Sequence, residues 1–93
     1  MREYNWKNLK DIDISDCQID NIDILDKYPL LRSIKASNNK IEEVNLTALS
    51  KINEIDLSDN LIHIFPIFRA SFDIVKYDIS SNKLTSFFEI PKL

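Results

Sequence analysis

IDLSDN, residues 55–60, has near copies elsewhere in the same chain: IDISDC at 12–17, IKASNN at 34–39 and YDISSN at 77–82. Aligning the four phrases exposes a longer unit. Its first apolar positions are Leu9, Leu31, Ile52 and Ile74, spaced 22, 21 and 22 residues apart. From each start the chain reads L-x-x-L-x-L-x-x-N-x-L-x-x-L. The first copy supplies Leu9, Ile12, Ile14, Cys17, Ile19 and Ile22. The second supplies Leu31, Ile34, Ala36, Asn39, Ile41 and Val44. The third supplies Ile52, Ile55, Leu57, Asn60, Ile62 and Phe65, and the fourth Ile74, Tyr77, Ile79, Asn82, Leu84 and Phe87. Every apolar slot holds an apolar or aromatic side chain.

The spacing has a mechanical meaning. Alternation at the fourth and sixth positions marks a short strand with one buried face. These strands are expected near 12–15, 34–37, 55–58 and 77–80. The later slots turn the chain back beneath the strand. One such unit cannot bury its own apolar face, but stacked neighbours can, and their strands then form a parallel sheet. The Asn at the ninth position sits where the chain leaves the strand. Its amide both donates and accepts, so Asn39, Asn60 and Asn82 are expected to satisfy backbone groups of their own turn and of the next unit. Cys17 holds this place in the first copy. It is read as a structural, buried thiol rather than a reactive one, because residues 11–26 carry no Lys or Arg to lower its pKa.

On these residues the chain resembles the leucine-rich repeat family, over residues 9–87. The 21–22-residue period and the I-x-x-[IVF] after the Asn look like the short-repeat class of the phosphatase-1 regulatory subunit type and the bacterial internalins. The resemblance implies an α/β fold. That fold is a right-handed β/α solenoid of about four coils in one domain, 1–93, with a short parallel sheet on the concave face. It also implies protein binding without catalysis. The repeats begin at 9, 31, 52 and 74, behind a short N-terminal cover at 1–8.

Within each strand the residues between apolar slots face the sheet's open side. The fifth position gives Asp13, Lys35, Asp56 and Asp78, and the third gives Asp11, Ser33, Glu54 and Lys76. This mainly acidic face is the expected partner surface, with Asp13, Lys35, Glu54, Asp56 and Asp78 as contact residues. The seventh position is Ser in every copy, a small residue where parallel strands crowd. The return segments place Leu25 and Tyr28, then Leu46 and Leu49, inward, where a short helical or 3₁₀ turn suits the spacing. PIFRASFD at 66–73 reads as a short helix with Phe68 and Phe72 on one face. All five Phe fall between 65 and 88, which gathers aromatic weight at the C-terminal end.

Composition narrows the function. The 93 residues carry 15 acidic and 12 basic side chains, net −3, with a pI near 5.0. That balance argues against nucleic acid and anionic membrane as partners. No apolar run approaches the roughly 20 residues of a membrane span, and MREYNWKNLKDIDIS has no apolar signal core. A single Cys fits a reducing compartment, so the cytoplasm is expected. Asn45-Leu46-Thr47 matches a glycosylation acceptor, which such a compartment would not use.

Other chemistry is poorly supplied. DIDISD at 11–16 opens like a calcium loop, but Asp16 stands where the loop needs Gly and Ile22 where it needs Glu. The only His is His63, far in repeat order from the only Cys, so zinc has no ligand set. Phosphate-cradling loops need Gly, and the chain has none. No cofactor or metal is expected. Tyr4 and Trp6 are expected to cover the first repeat's open edge. The alternative to a binding module is a structural segment that self-associates through uncapped ends, chiefly the aromatic C-terminal one.

Overall fold

A computed structural model describes residues 6–64, 66 and 74–84. Its framework is one four-stranded parallel sheet in the order β1-β2-β3-β4, built from β1 (Asp11–Asp13), β2 (Ser33–Lys35), β3 (Glu54–Asp56) and β4 (Lys76–Asp78). Helical structure is sparse among the described residues: two 3₁₀ turns, Trp6–Asn8 and Asp23–Lys27. The fold is thus of mixed α/β character and dominated by its sheet.

The sequence alignment and the strand register coincide. Ile12 lies beside Ile34, Ile34 beside Ile55, and Ile55 beside Tyr77. The strands are shorter than expected and begin one residue earlier. The Oδ1 of Asp13 accepts the N–H of Ser15 at 3.0 Å, and Asp56 with Ser58 and Asp78 with Ser80 repeat the bond. Such a turn bends the chain out of the extended form two residues after the Asp. Single bonds between neighbouring repeats continue beyond the strands, from Asp16 N–H to the Ser37 carbonyl and from Asp59 N–H to the Ser80 carbonyl.

The eighth position then reverses the chain. Asp16, Asn38, Asp59 and Ser81 all take φ between 55° and 58°. Gly is the usual occupant of this left-handed region, and Asn and Asp tolerate it best of the others. The first repeat also puts Gln18 there, at φ 57°.

Beneath the sheet lies an aliphatic core centred on the two interior repeats. Leu31, Ile34, Ala36, Ile41, Ile52, Ile55, Leu57 and Ile62 are buried, joined by Ile22, Leu25, Leu46 and Leu49 from the return segments. The matching residues of the outer repeats, Leu9, Ile12, Ile14, Ile74, Tyr77 and Ile79, are half-buried against it. Among the described residues each has a repeat on one side only. Leu84, an expected core slot, is exposed for the same reason.

In the first return segment, N–H groups of Leu25 and Tyr28 bond to carbonyls three residues back, forming the second 3₁₀ turn. The second return segment, 45–51, buries Leu46 and Leu49 without a helical turn. Its backbone is held from outside. Asp23 Oδ1 accepts Asn45 N–H at 3.0 Å, and Asp26 Oδ1 accepts Ala48 N–H at 2.8 Å. The 3₁₀ turn of one repeat therefore clamps the return chain of the next. Apart from Pro66, the expected helix at 66–73 lies outside the described residues, as do the five Phe, Tyr4 and the side chain of Trp6.

Candidate partner-binding face

The Asn column fixes the spacing of the repeats and hence of the face above it. Asn39 Oδ1 accepts the N–H groups of Cys17 and Ile19, both at 3.0 Å, and its Nδ2 donates to the carbonyls of Ile14, Ala36 and Ser37. Asn60 takes Ile41 N–H and donates to Ala36, Leu57 and Ser58. Asn82 takes Ile62 N–H and donates to Leu57, Ile79 and Ser80. Each amide thus binds its own turn and the preceding repeat. The direction is opposite to the expected link with the next unit, because Oδ1 points back across the turn just completed.

Cys17 has no such reach. Its Sγ donates to the Ser15 carbonyl at 3.2 Å, imitating only the local half of the Asn pattern. It is exposed rather than buried, since the first repeat leaves one side of its turn open.

With the core side sealed by aliphatic groups, the intervening residues point outward. Asp13, Lys35 and Asp78 are exposed, while Glu54 and Asp56 are partly covered by their neighbours. The register sets them in rows. One row runs Asp11, Ser33, Glu54, Lys76, and the other Asp13, Lys35, Asp56, Asp78. Strands in a sheet lie about 4.8 Å apart, so Lys35 stands between Asp13 and Asp56, and Lys76 beside Glu54. Arg32, just before β2, adds a two-pronged bond to Asp11, Nε to Oδ1 at 3.2 Å and Nη2 to Oδ2 at 3.3 Å.

Two shallow depressions open on this surface. One, of about 570 Å³, runs over β1 to β3 between Asp13, Arg32, Lys35 and Glu54. The other, of about 390 Å³, runs over β3 and β4 between Asp56, Lys76 and Asp78. With the loop-end residues Asp16 and Asp59, the face carries seven carboxylates against three cations. The chain's whole net charge is −3, so its negative excess is concentrated here.

The carboxylates of the fifth position are also preset. The backbone N–H of Ser15, with help from its hydroxyl, holds Asp13 below the usual carboxylate range. The Ser80 hydroxyl, at 2.6 Å, and then its N–H do the same for Asp78. Asp56 receives the Ser58 hydroxyl at 2.7 Å and its N–H at 3.0 Å. In the second repeat Lys35 replaces the Asp, and Ser37 turns instead to the Ser15 hydroxyl at 3.3 Å. Sequence reasoning assigned the Ser column to crowding alone. The D-x-S spacing in three of four copies was the available signal of its bonding role.

Among the described residues no group of three or more His, Cys, Asp or Glu is arranged to hold a metal ion, and no helix is long and apolar enough to cross a membrane. His63 is exposed on the segment after Asn60, away from the strands. No protein-family model, curated protein or solved structure matches the chain.

Proposed function

We propose that the chain is a leucine-rich repeat solenoid, right-handed and of about four coils, that binds another protein on the concave face of its sheet. The carrying observation is the division of the sheet. One side is closed by Ile34, Ile55 and their neighbours, and the other presents two registered rows of charged side chains over open depressions. A scaffold with preset side chains needs little ordering on association, which favours recognition. The partner is a protein, with neither nucleic acid nor membrane suited to so acidic a face. The work is non-catalytic, needs no cofactor and belongs in the cytoplasm, where Cys17 stays a thiol.

Asp13, Lys35, Glu54, Asp56 and Asp78 are the contact residues of this reading. Replacing Asp56 and Asp78 together by Lys is expected to weaken capture of the partner and to slow its association, with the fold unchanged by circular dichroism. A photo-crosslinking residue in place of Ser33 should label the captured partner, and one in place of Glu42 should not. Labelling from position 42 alone would move the binding surface off the sheet.

A further inference from the structure

The outer edge of β1 is a second surface, beside the sheet face and sharing Asp13 with it. β1 ends the sheet. Its Lys10 carbonyl and Ile14 N–H are both engaged with the second repeat. Residues alternate in a parallel ladder, so the N–H and C=O of Asp11 and Asp13 point the other way. Among the described residues nothing pairs with them.

Below this edge lies an apolar groove of about 240 Å³, lined by Leu9, Ile12, Ile14, Ile19, Ile24 and Tyr28 among others. Ile24 stands at its rim with 61% of its surface exposed. In the interior repeats the equivalent face is covered by the preceding repeat. Among the described residues nothing takes that place here, and backbone groups and apolar surface lie side by side.

The occupant is constrained by chemistry at the edge. Another repeat of the same kind is a poor fit. Every inter-repeat joint below is bridged by an Asn amide, whereas Cys17 spends its thiol on Ser15 and has no oxygen to accept a neighbour's N–H groups. A second copy is also a poor fit. Two-fold pairing of β1 with itself about Ile12 would be antiparallel and would set Asp13 against Asp11 of the other copy. Like charges placed opposite each other oppose pairing. On its outer side Asp13 calls for a cation instead: Lys35 lies on the β2 side, Oδ1 is held by Ser15, and Asp11 already has Arg32.

We propose that the outer edge of β1 receives an extended segment of another protein as a fifth strand, with an apolar side chain opposite Ile12 and a lysine or arginine opposite Asp13. The backbone groups of Asp11 and Asp13 supply the ladder, the groove takes the apolar side chain, and Asp13 selects the charge. The edge carboxylates then have two effects: they bar self-pairing and admit a basic strand.

The test uses the full chain and a blocked, labelled heptapeptide with an Ile-Lys centre in a Ser/Thr background, read by fluorescence anisotropy. Binding is expected to fall about tenfold when the peptide's Lys becomes Glu, and about tenfold when its Ile becomes Asn. Asp13→Lys should reverse the Lys/Glu preference. Asp13→Asn, which keeps an acceptor for Ser15, should abolish that preference without reversing it. Ile24→Asp should weaken both charged peptides and leave their ratio intact. An N-methyl group on the ladder-facing backbone of the peptide should remove binding. The proposal is overturned if no peptide binds at millimolar concentration, if both Asp13 variants retain the wild-type preference, or if sedimentation shows a dimer that Asp13→Lys disrupts.

Discussion

A single amide decides how firmly one repeat holds the next. Asn60 is 4% exposed and makes four hydrogen bonds, three as donor and one as acceptor. Leu at that position would strand the Ile41 N–H and take one donor from each of three carbonyls, which keep Asn39, Asn82 and the Asn38 N–H. At about 1–3 kcal/mol for the buried N–H left unpaired and about 0.5–1.5 kcal/mol for each further hydrogen bond lost, Asn60→Leu should cost about 3 kcal/mol or more. Asn21 offers the control. It is exposed and bonds only to Asp23, two residues on, so Asn21→Leu should cost about 1 kcal/mol, the scale of a lost cap. Urea titration of the two variants makes the comparison, and equal small shifts would remove the Asn column from the account. Protonation probes the Asp-Ser turns. Asp13 and Asp78 titrate below their ordinary range when folded. Near the usual carboxylate pKa the unfolded chain therefore binds more protons, and stability rises with pH there. That contribution is complete above about pH 4 and is lost as pH falls through the lower folded values. Asp78→Asn should flatten the acid limb of a urea midpoint against pH curve. The Asn column was legible from sequence by its period. Its backward direction was not, because only the folded turn fixes where Oδ1 points.

At the scale of elements, the sheet carries the order and the return segments borrow it. β2 and β3 are flanked on both sides and sit over fully buried Ile34 and Ile55, whereas β1 and β4 sit over half-buried Ile12 and Tyr77. Ile34→Ala or Ile55→Ala should cost about 2–5 kcal/mol, as buried truncations do. Ile12→Ala should cost clearly less, measured in the same titration. The return chain at 45–51 has no helical hydrogen bonds of its own and depends on Asp23 and Asp26. Asp26→Ala should cost about 1 kcal/mol and open that segment to limited proteolysis before the sheet is lost. The burial of Leu25, Leu46 and Leu49 could be read from their spacing. The clamp could not, because its two halves lie 22 residues apart and look like ordinary surface polar residues in sequence. Strand bounds slipped by one residue for a related reason. The apolar period locates a strand but not its bend, which falls at the same position in β2, where Lys35 replaces the Asp. Burial also raises the Tyr77 phenol above its ordinary range. The unfolded chain then loses that proton first as pH rises past about 10, so stability should decline there. Tyr77→Phe should remove that decline.

For the whole molecule, the parallel sheet and the interior core followed from one repeated pattern, since period and register are the same fact seen twice. The ends did not follow. Cys17 was expected inside and is exposed, and Leu84 was expected to be covered and is not, because a repeat pattern cannot say what its own first and last members touch. The candidate face was legible as a list of side chains. Its mainly acidic character was legible with them, whereas its two depressions needed the register. Sedimentation across a hundredfold range of concentration measures the balance between the open edges and their charges. A monomer is expected at the β1 edge, and an Asp11→Ser, Asp13→Ser double variant should shift the chain toward association.

The left-handed turns have a further consequence for the unfolded chain. A protein that reverses direction at Asp16, Asn38, Asp59 and Ser81 without a single Gly starts from a denatured ensemble with fewer backbone states to give up. Gly at Asp59 would relieve a conformational cost of about 1–2 kcal/mol but restore freedom worth about 0.5–1 kcal/mol to the unfolded state. The two effects nearly cancel where Asp already tolerates the conformation. Ser81 tolerates it less well, so Ser81→Asn, which eases the turn without loosening the denatured chain, is the substitution expected to raise the melting temperature.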